Sequence, residues 1–228
     1  MVSVPGQSFG QRLAERVGLL DYSGTRRSTL ASPPHLRSHC RVRVLFVENH
    51  DSFSLNVVES LPVDRADVLI RPGREVACDP GSLDGADVVV VGPGPTDPAR
   101  AGIVGVVQAA ARRGLPLLGI CLGHQALGLA FGATLVRVLP VHGKQAEITF
   151  FRSRLFPGFI GRQTMMRYHS LALTGIAAPL HITAQTDDRI VMAIEHETLP
   201  MAGLQFHPDS FASPRGKELI ADFFGAIA

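Results

Sequence analysis

Four valines in a row, Val88-Val89-Val90-Val91, end abruptly at Gly92-Pro93-Gly94-Pro95. A strand that is apolar at every position, without alternation, has to be covered on both faces, as in a parallel sheet wrapped by helices. The rest of the first half agrees with this. Residues 41–48 begin half-buried and become fully apolar, residues 66–70 read as a second strand, and residues 115–120 as a fourth. Helical stretches are expected at 54–61 and 103–113, between strands. Strand, helix and strand in alternation predict parallel βαβ units in an α/β fold, an open, mostly parallel, doubly wound sheet with flanking helices.

The second half has a different texture. Residues 134–138, 147–151, 164–168, 181–185, 190–195 and 201–206 are β-like runs joined mostly by short turns, and they predict an additional antiparallel layer. A closing helix is expected over 212–228, opened by Ser213-Pro214, with Leu219, Ile220, Phe223 and Phe224 on one face.

Residues 1–40 are rich in Ser, Pro, Gly and Arg and make a poor core. They are expected to be a flexible extension, with an organelle transit peptide as the alternative, ahead of one domain over 41–228. Residues 1–43 carry seven Arg against two acids, whereas the remainder holds fifteen basic and eighteen acidic side chains. The globular part has no sustained basic face, so nucleic acid is not an expected partner. No run approaches the ~20 apolar residues that span a bilayer. Three cysteines form no even framework, which favours a reducing cytoplasm.

In a doubly wound sheet the working residues sit at the carboxyl ends of strands. Asn49 to Ser52, Gly92 to Pro95 and Cys121 fall there. Cys121 lies in Gly119-Ile120-Cys121-Leu122-Gly123-His124-Gln125, between an apolar strand and an apolar helical run. A strand that turns sharply into a helix sets the sulfur on a nucleophile elbow. The helix then aims its first amides and the positive end of its dipole at the sulfur, which favours thiolate over thiol. The plainer alternative is a buried Cys that acts only as a small hydrophobe.

A nucleophilic Cys needs a base and a group that orients the base. His207 ends an apolar strand, and Asp209, two positions on, shares its face in an extended chain. Together with Cys121 they form a candidate triad; taken alone, His-x-Asp is an ordinary surface pair. His124 follows the elbow too closely to serve as the base and is expected to pack. No pair of His has metal-ligand spacing with an acid, so no metal or other cofactor is expected. An oxyanion formed during attack would need N–H donors, and Gly94 between two prolines and Leu122 after the Cys are the candidates.

These residues together resemble the class I glutamine amidotransferases, and most of all the small subunits of anthranilate synthase and aminodeoxychorismate synthase. The likeness runs over about residues 42–227 and includes Asp51 to Asn56, Gly92 to Pro95, Gly119 to Gln125, His142-Gly143-Lys144, Tyr168 to Leu171 and Gln205 to Pro208. It implies a glutaminase that splits glutamine through a Cys thioester and passes ammonia to a chorismate-utilising synthase subunit. Cys121 would be the nucleophile, His207 the acid and base, and Gly94 and Leu122 the oxyanion hole. Gln125 would touch the bound glutamine, and the backbone at Ser170 and Leu171 would hold its α-amino and carboxylate groups. His142 to Lys144 and Asn49 to Ser52 read as rim and partner-contact segments. Asp209 stands where the family usually has Glu, one methylene longer, so activity is expected to survive at a reduced level. A stand-alone γ-glutamyl thiol hydrolase and a catalytically weakened regulatory subunit are the alternatives.

Overall fold

The computed structural model describes residues 41–228; the extension expected over residues 1–40 lies outside the described residues. Nine strands form one sheet in the order β2-β1-β3-β4-β9-β8-β7-β5-β6. The first five are β1 (Val44–Glu48), β2 (Val68–Pro72), β3 (Val88–Val91), β4 (Leu117–Ile120) and β9 (Met201–Leu204). Each of the four pairings among them is parallel.

The two faces of this parallel half are sorted by residue parity, as the pleat requires. Val44, Phe46, Val88, Val90, Leu118 and Ile120 point into a core with Val57 and Val58 of α1 (Ser54–Glu59). Leu219, Ile220, Phe223 and Phe224 of α5 (Gly216–Ala226) complete that layer. Leu45, Val47, Val89, Val91 and Leu117 face the other way. There they meet Val76 of α2 (Gly73–Cys78), Ile103, Val106 and Val107 of α3 (Ile103–Arg112), and Leu122, Ala126 and Leu127 of α4 (Leu122–Ala130). All four valines of β3 are fully buried, which at about 1.5–3 kcal/mol apiece makes this strand a principal source of stability. The unbroken apolar run is therefore a consequence of helices on both faces.

The antiparallel layer is a continuation of the same sheet. β8 (Val191–His196) pairs antiparallel to β9, β7 (Leu180–Gln185) to β8, and β5 (Thr134–Phe150) to β7 and to β6 (Gly161–Thr174). β5 is one strand of 17 residues where two short runs were expected. Pro140 and Gly143 interrupt the alternation, and the register shifts between Arg137 and Val141 and again between His142 and Lys144. Both irregularities bend the β5–β6 ribbon. A bridge between Met166 of β6 and His207 then ties the ribbon back to the chain leaving β9.

The closing helix starts later than expected. Ser213 accepts a hydrogen bond from the Met166 amide (2.9 Å) and donates one to the His207 carbonyl (2.7 Å), so its hydroxyl serves as a clamp. α5 begins at Gly216, whose α-carbon is pressed against the Pro208 carbonyl. α2, absent from the expected elements, has six residues with only Gly73 and Val76 buried, too little for any periodic pattern.

Candidate active site

β1, β3, β4 and β9 end side by side, and the segments leaving them converge. Strand order reverses at β1, with β2 on one side and β3 on the other, which is the switch point where such sheets bind ligands.

Cys121 links β4 to α4 with φ +53° and ψ −96°, a left-handed conformation that costs on the order of 1–3 kcal/mol. The surroundings enforce it. The Cys121 amide donates to the Leu204 carbonyl at 2.7 Å, and the Gln125 amide donates to the Cys121 carbonyl at 3.1 Å. A β-carbon on Gly119 would lie 2.4 Å from the Gly123 carbonyl oxygen, and one on Gly123 would lie 2.2 Å from the Val91 carbonyl oxygen. Both glycines are there because backbone passes against backbone. The amides of Leu122, Gly123 and His124 open α4 and have no acceptor within the helix. Cys121 itself is buried, 6% exposed.

Gly94 packs against this helix start. A β-carbon there would meet Leu122 Cδ2 at 2.6 Å and the Asn49 carbonyl oxygen at 2.9 Å. The two candidate oxyanion donors are thus neighbours. Asn49, expected at the rim, is 6% exposed, and its side-chain amide donates to the Gly92 carbonyl at 3.1 Å and to the Val47 carbonyl at 3.3 Å. It braces the Gly-Pro loop from inside. His50 is exposed and Asp51 and Ser52 lie in the turn beyond it. There Glu48 accepts from the Asp51 amide (3.0 Å) and from the Ser54 hydroxyl (3.2 Å).

His207 leaves β9 with its backbone amide bonded to the Met166 carbonyl at 2.9 Å. Its Nδ1 lies 3.4 Å from Asp209 Oδ1, and both side chains are almost wholly buried. That separation is an ion-pair distance. Among the described residues, His207 Nδ1 and both Asp209 oxygens have no hydrogen-bond partner. Burial by itself would lower the pKa of His207; pairing with the Asp209 carboxylate and the Cys121 sulfur outweighs it and raises the value to about 10. The imidazole is therefore protonated at neutral pH. Tyr168 and Phe53 box the ring, with centroids 5.1 and 5.6 Å away.

Gln125 and Leu171 meet below the sulfur. Gln125 Nε2 donates to the Leu171 carbonyl at 3.3 Å and to Gln205 Oε1 at 3.1 Å. The Leu171 carbonyl also accepts from His169 Nδ1 at 2.9 Å, while Arg167 Nε donates to His169 Nε2 at 3.1 Å. Arg167 can only donate, so the His169 proton sits on Nδ1. Burial, followed by the Arg167 charge, lowers the His169 pKa to about 4. Ser170 is half-buried beside Leu171. His142 and Lys144 are exposed on β5, opposite Tyr168 and Arg167. His124 is fully buried; burial lowers its pKa to about 3, and its ring lies against the Gly203 backbone without hydrogen-bond geometry.

Sequence reasoning assigned no role to Phe53 or Gln205 and took Ser213 only as part of the start of the closing helix, although all three shape the site. For Phe53 and Gln205 the available signal was position: both flank residues at strand carboxyl ends. Among the described residues, no cluster of three or more His, Cys, Asp or Glu could hold a metal ion, and no helix is long and apolar enough to cross a membrane.

This geometry can be compared with that of known proteins. A family profile for class-I glutamine amidotransferases matches residues 45–227. The chain is 40% identical over 186 residues to an aminodeoxychorismate synthase of Streptomyces griseus, a match that uses 80% of this chain and spans 26% of that longer protein. It is 35% identical over 184 residues to anthranilate synthase component 2 of Azospirillum brasilense, covering 79% of this chain and 94% of that one. A solved glutamine amidotransferase from Thermotoga maritima superposes with a TM-score of 0.63 at 15% identity, covering 82% of this chain and 97% of that one, a likeness of fold. With a strained Cys elbow facing a protonated His and a profile match across nearly all of the described residues, the chain belongs to the class-I glutamine amidotransferase family.

Proposed function

We propose that residues 41–228 form a glutaminase domain that releases ammonia from glutamine for a chorismate-utilising synthase partner of the anthranilate or aminodeoxychorismate type. The observation that carries this reading is the meeting of the Cys121 sulfur with a His207 imidazolium backed by Asp209. The names of the relatives support the partner class.

The sulfur attacks the side-chain carbonyl carbon of glutamine, and the carbonyl oxygen becomes an oxyanion. The Gly94 and Leu122 amides donate to that oxygen, and such a donor contributes about 2.7–4 kcal/mol where removal has been measured in other enzymes. His207 gives its proton to the departing nitrogen. Ammonia leaves, and a γ-glutamyl thioester remains on Cys121. His207, now neutral, takes a proton from water as the water attacks the thioester. Glutamate leaves, the sulfur recovers its charge and His207 is again protonated. Asp209 stabilises the imidazolium at the beginning and end of the cycle. Gln125 and the backbone at Ser170 and Leu171 hold the amino-acid end of the substrate.

Replacing the nucleophile tests this reading. Cys121→Ser, assembled with a chorismate-utilising synthase, is expected to lose glutamine-dependent amination and to retain amination from free ammonium. Glutamine-dependent product at the parent rate would overturn the assignment.

A further inference from the structure

Gln205 is completely buried one strand away from the nucleophile, and its side-chain Nε2 lies 3.7 Å from Cys121 Sγ in hydrogen-bonding geometry. Its orientation is dictated by a chain of partners. The Leu171 carbonyl can only accept, so Gln125 must present its Nε2 there, and that same Nε2 reaches Gln205 Oε1. With its oxygen committed to Gln125, Gln205 has only its N–H to present to the sulfur. His169, carrying its proton on Nδ1, makes the second bond to the Leu171 carbonyl and is itself fixed by Arg167. The backbone holds the far end, because the Gln205 amide donates to the Met192 carbonyl at 2.9 Å.

We infer that Gln205 is a catalytic residue whose side-chain amide donates to the Cys121 sulfur, fixing its position and stabilising its ionised form. A donor aimed at sulfur bonds a charged acceptor more strongly than a neutral thiol. The relay through Gln125, Leu171, His169 and Arg167 keeps the amide from turning its oxygen toward the sulfur. This rests on the reading of Cys121 as the nucleophile. It adds a third contact to the sulfur, beside the helix start and His207.

The test reads the sulfur directly. The rate at which iodoacetamide alkylates Cys121, followed by mass spectrometry of the Cys121 peptide, is measured from roughly pH 5 to 10 in the parent and in Gln205→Leu. Among the ionisable groups around the sulfur, His207 is present in both proteins, and His124 and His169 are held neutral by burial. Loss of the donor is expected to move the alkylation midpoint up by about one pH unit, a roughly tenfold slower reaction below it. A role in packing alone would change stability and leave the midpoint in place. A folded Gln205→Leu protein with the parent's midpoint overturns the inference. Gln205→Met, close in length and without an N–H donor, must raise the midpoint as far; an unmoved midpoint there overturns it too. The assay needs neither glutamine nor a partner. Absence of glutamine hydrolysis in the parent would therefore sink the proposed function, and an unmoved midpoint in an active enzyme would sink only the role of Gln205.

Discussion

The nucleophile and its base are held in different ways. Cys121 is over-determined: backbone bonds on both sides, two glycines in backbone contact and a side-chain donor at the sulfur fix one conformation. The His207–Asp209 pair is held more loosely. Its backbone is clamped by Met166 and Ser213, but the two side chains meet at 3.4 Å, with three polar atoms left without hydrogen bonds among the described residues. The elbow stores strain that its surroundings sustain. The pair relies on attraction between opposite charges in a buried space, which depends on pH and on side-chain length.

The largest expected effect comes from breaking the tightly held side. Gly123→Ala would push a methyl group to 2.2 Å from the Val91 carbonyl oxygen, in a strand buried at every position. Neither backbone segment can yield without moving β3 or α4. A loss of about 3 kcal/mol in urea unfolding is expected, at the upper end for overpacking. A loss below about 1 kcal/mol would mean that the elbow is more plastic than its contacts suggest.

On the loosely held side, Asp209→Asn removes the charge that keeps His207 protonated and leaves a buried imidazole. Glutamine hydrolysis is expected to fall on the order of a hundredfold, less than the roughly 10⁴-fold loss measured where a triad Asp is well bonded. A loss as large as that in steady-state assays would show that 3.4 Å is close enough for full coupling.

The same pair predicts a pH dependence of stability. The folded-state pKa of His207 is raised to about 10, above the unfolded value of about 6.5. Its contribution is therefore fully present below pH ~6.5 and is lost as pH rises through ~10. Unfolding free energies at the two ends of that range should show the parent losing more stability than Asp209→Asn. Equal losses would indicate that charge pairing does not raise the His207 pKa.

These two regions also differ in how far the sequence reveals them. The elbow is local: glycine spacing, an apolar strand before it and an apolar helix after it are all contained in residues 115–130. The parallel half was legible for the same reason, since burial on both faces leaves unbroken apolar runs. The surroundings of His207 are not local. Met166 and Tyr168 reach it through a ribbon whose first strand is exposed along most of its length and bulged twice, so no alternation marks its register, while Phe53 comes from the turn after β1 and Ser213 from the turn before α5. Gln205 belongs with this group, because its meaning comes from Gln125, 80 residues away.

The smallest expected effect is the most discriminating. Asp209→Glu adds one methylene to a carboxylate whose two oxygens are buried and, among the described residues, without a hydrogen bond. If the 3.4 Å gap is simply a short side chain failing to reach, the longer one closes it to a hydrogen bond, which to a charged group adds about 1.5–3 kcal/mol in favourable cases. Most of that gain would fall equally on the resting enzyme and the transition state, so only a few-fold rise in the rate of glutamine hydrolysis is expected. The added volume works in the opposite direction, since the Asp209 side chain has no exposure and overpacking costs 1–3 kcal/mol or so. A few-fold faster, slightly less stable variant would identify reach as the limiting factor. A slower one would show that the site is built around Asp209, with the gap a property of the packing between β6 and the end of β9.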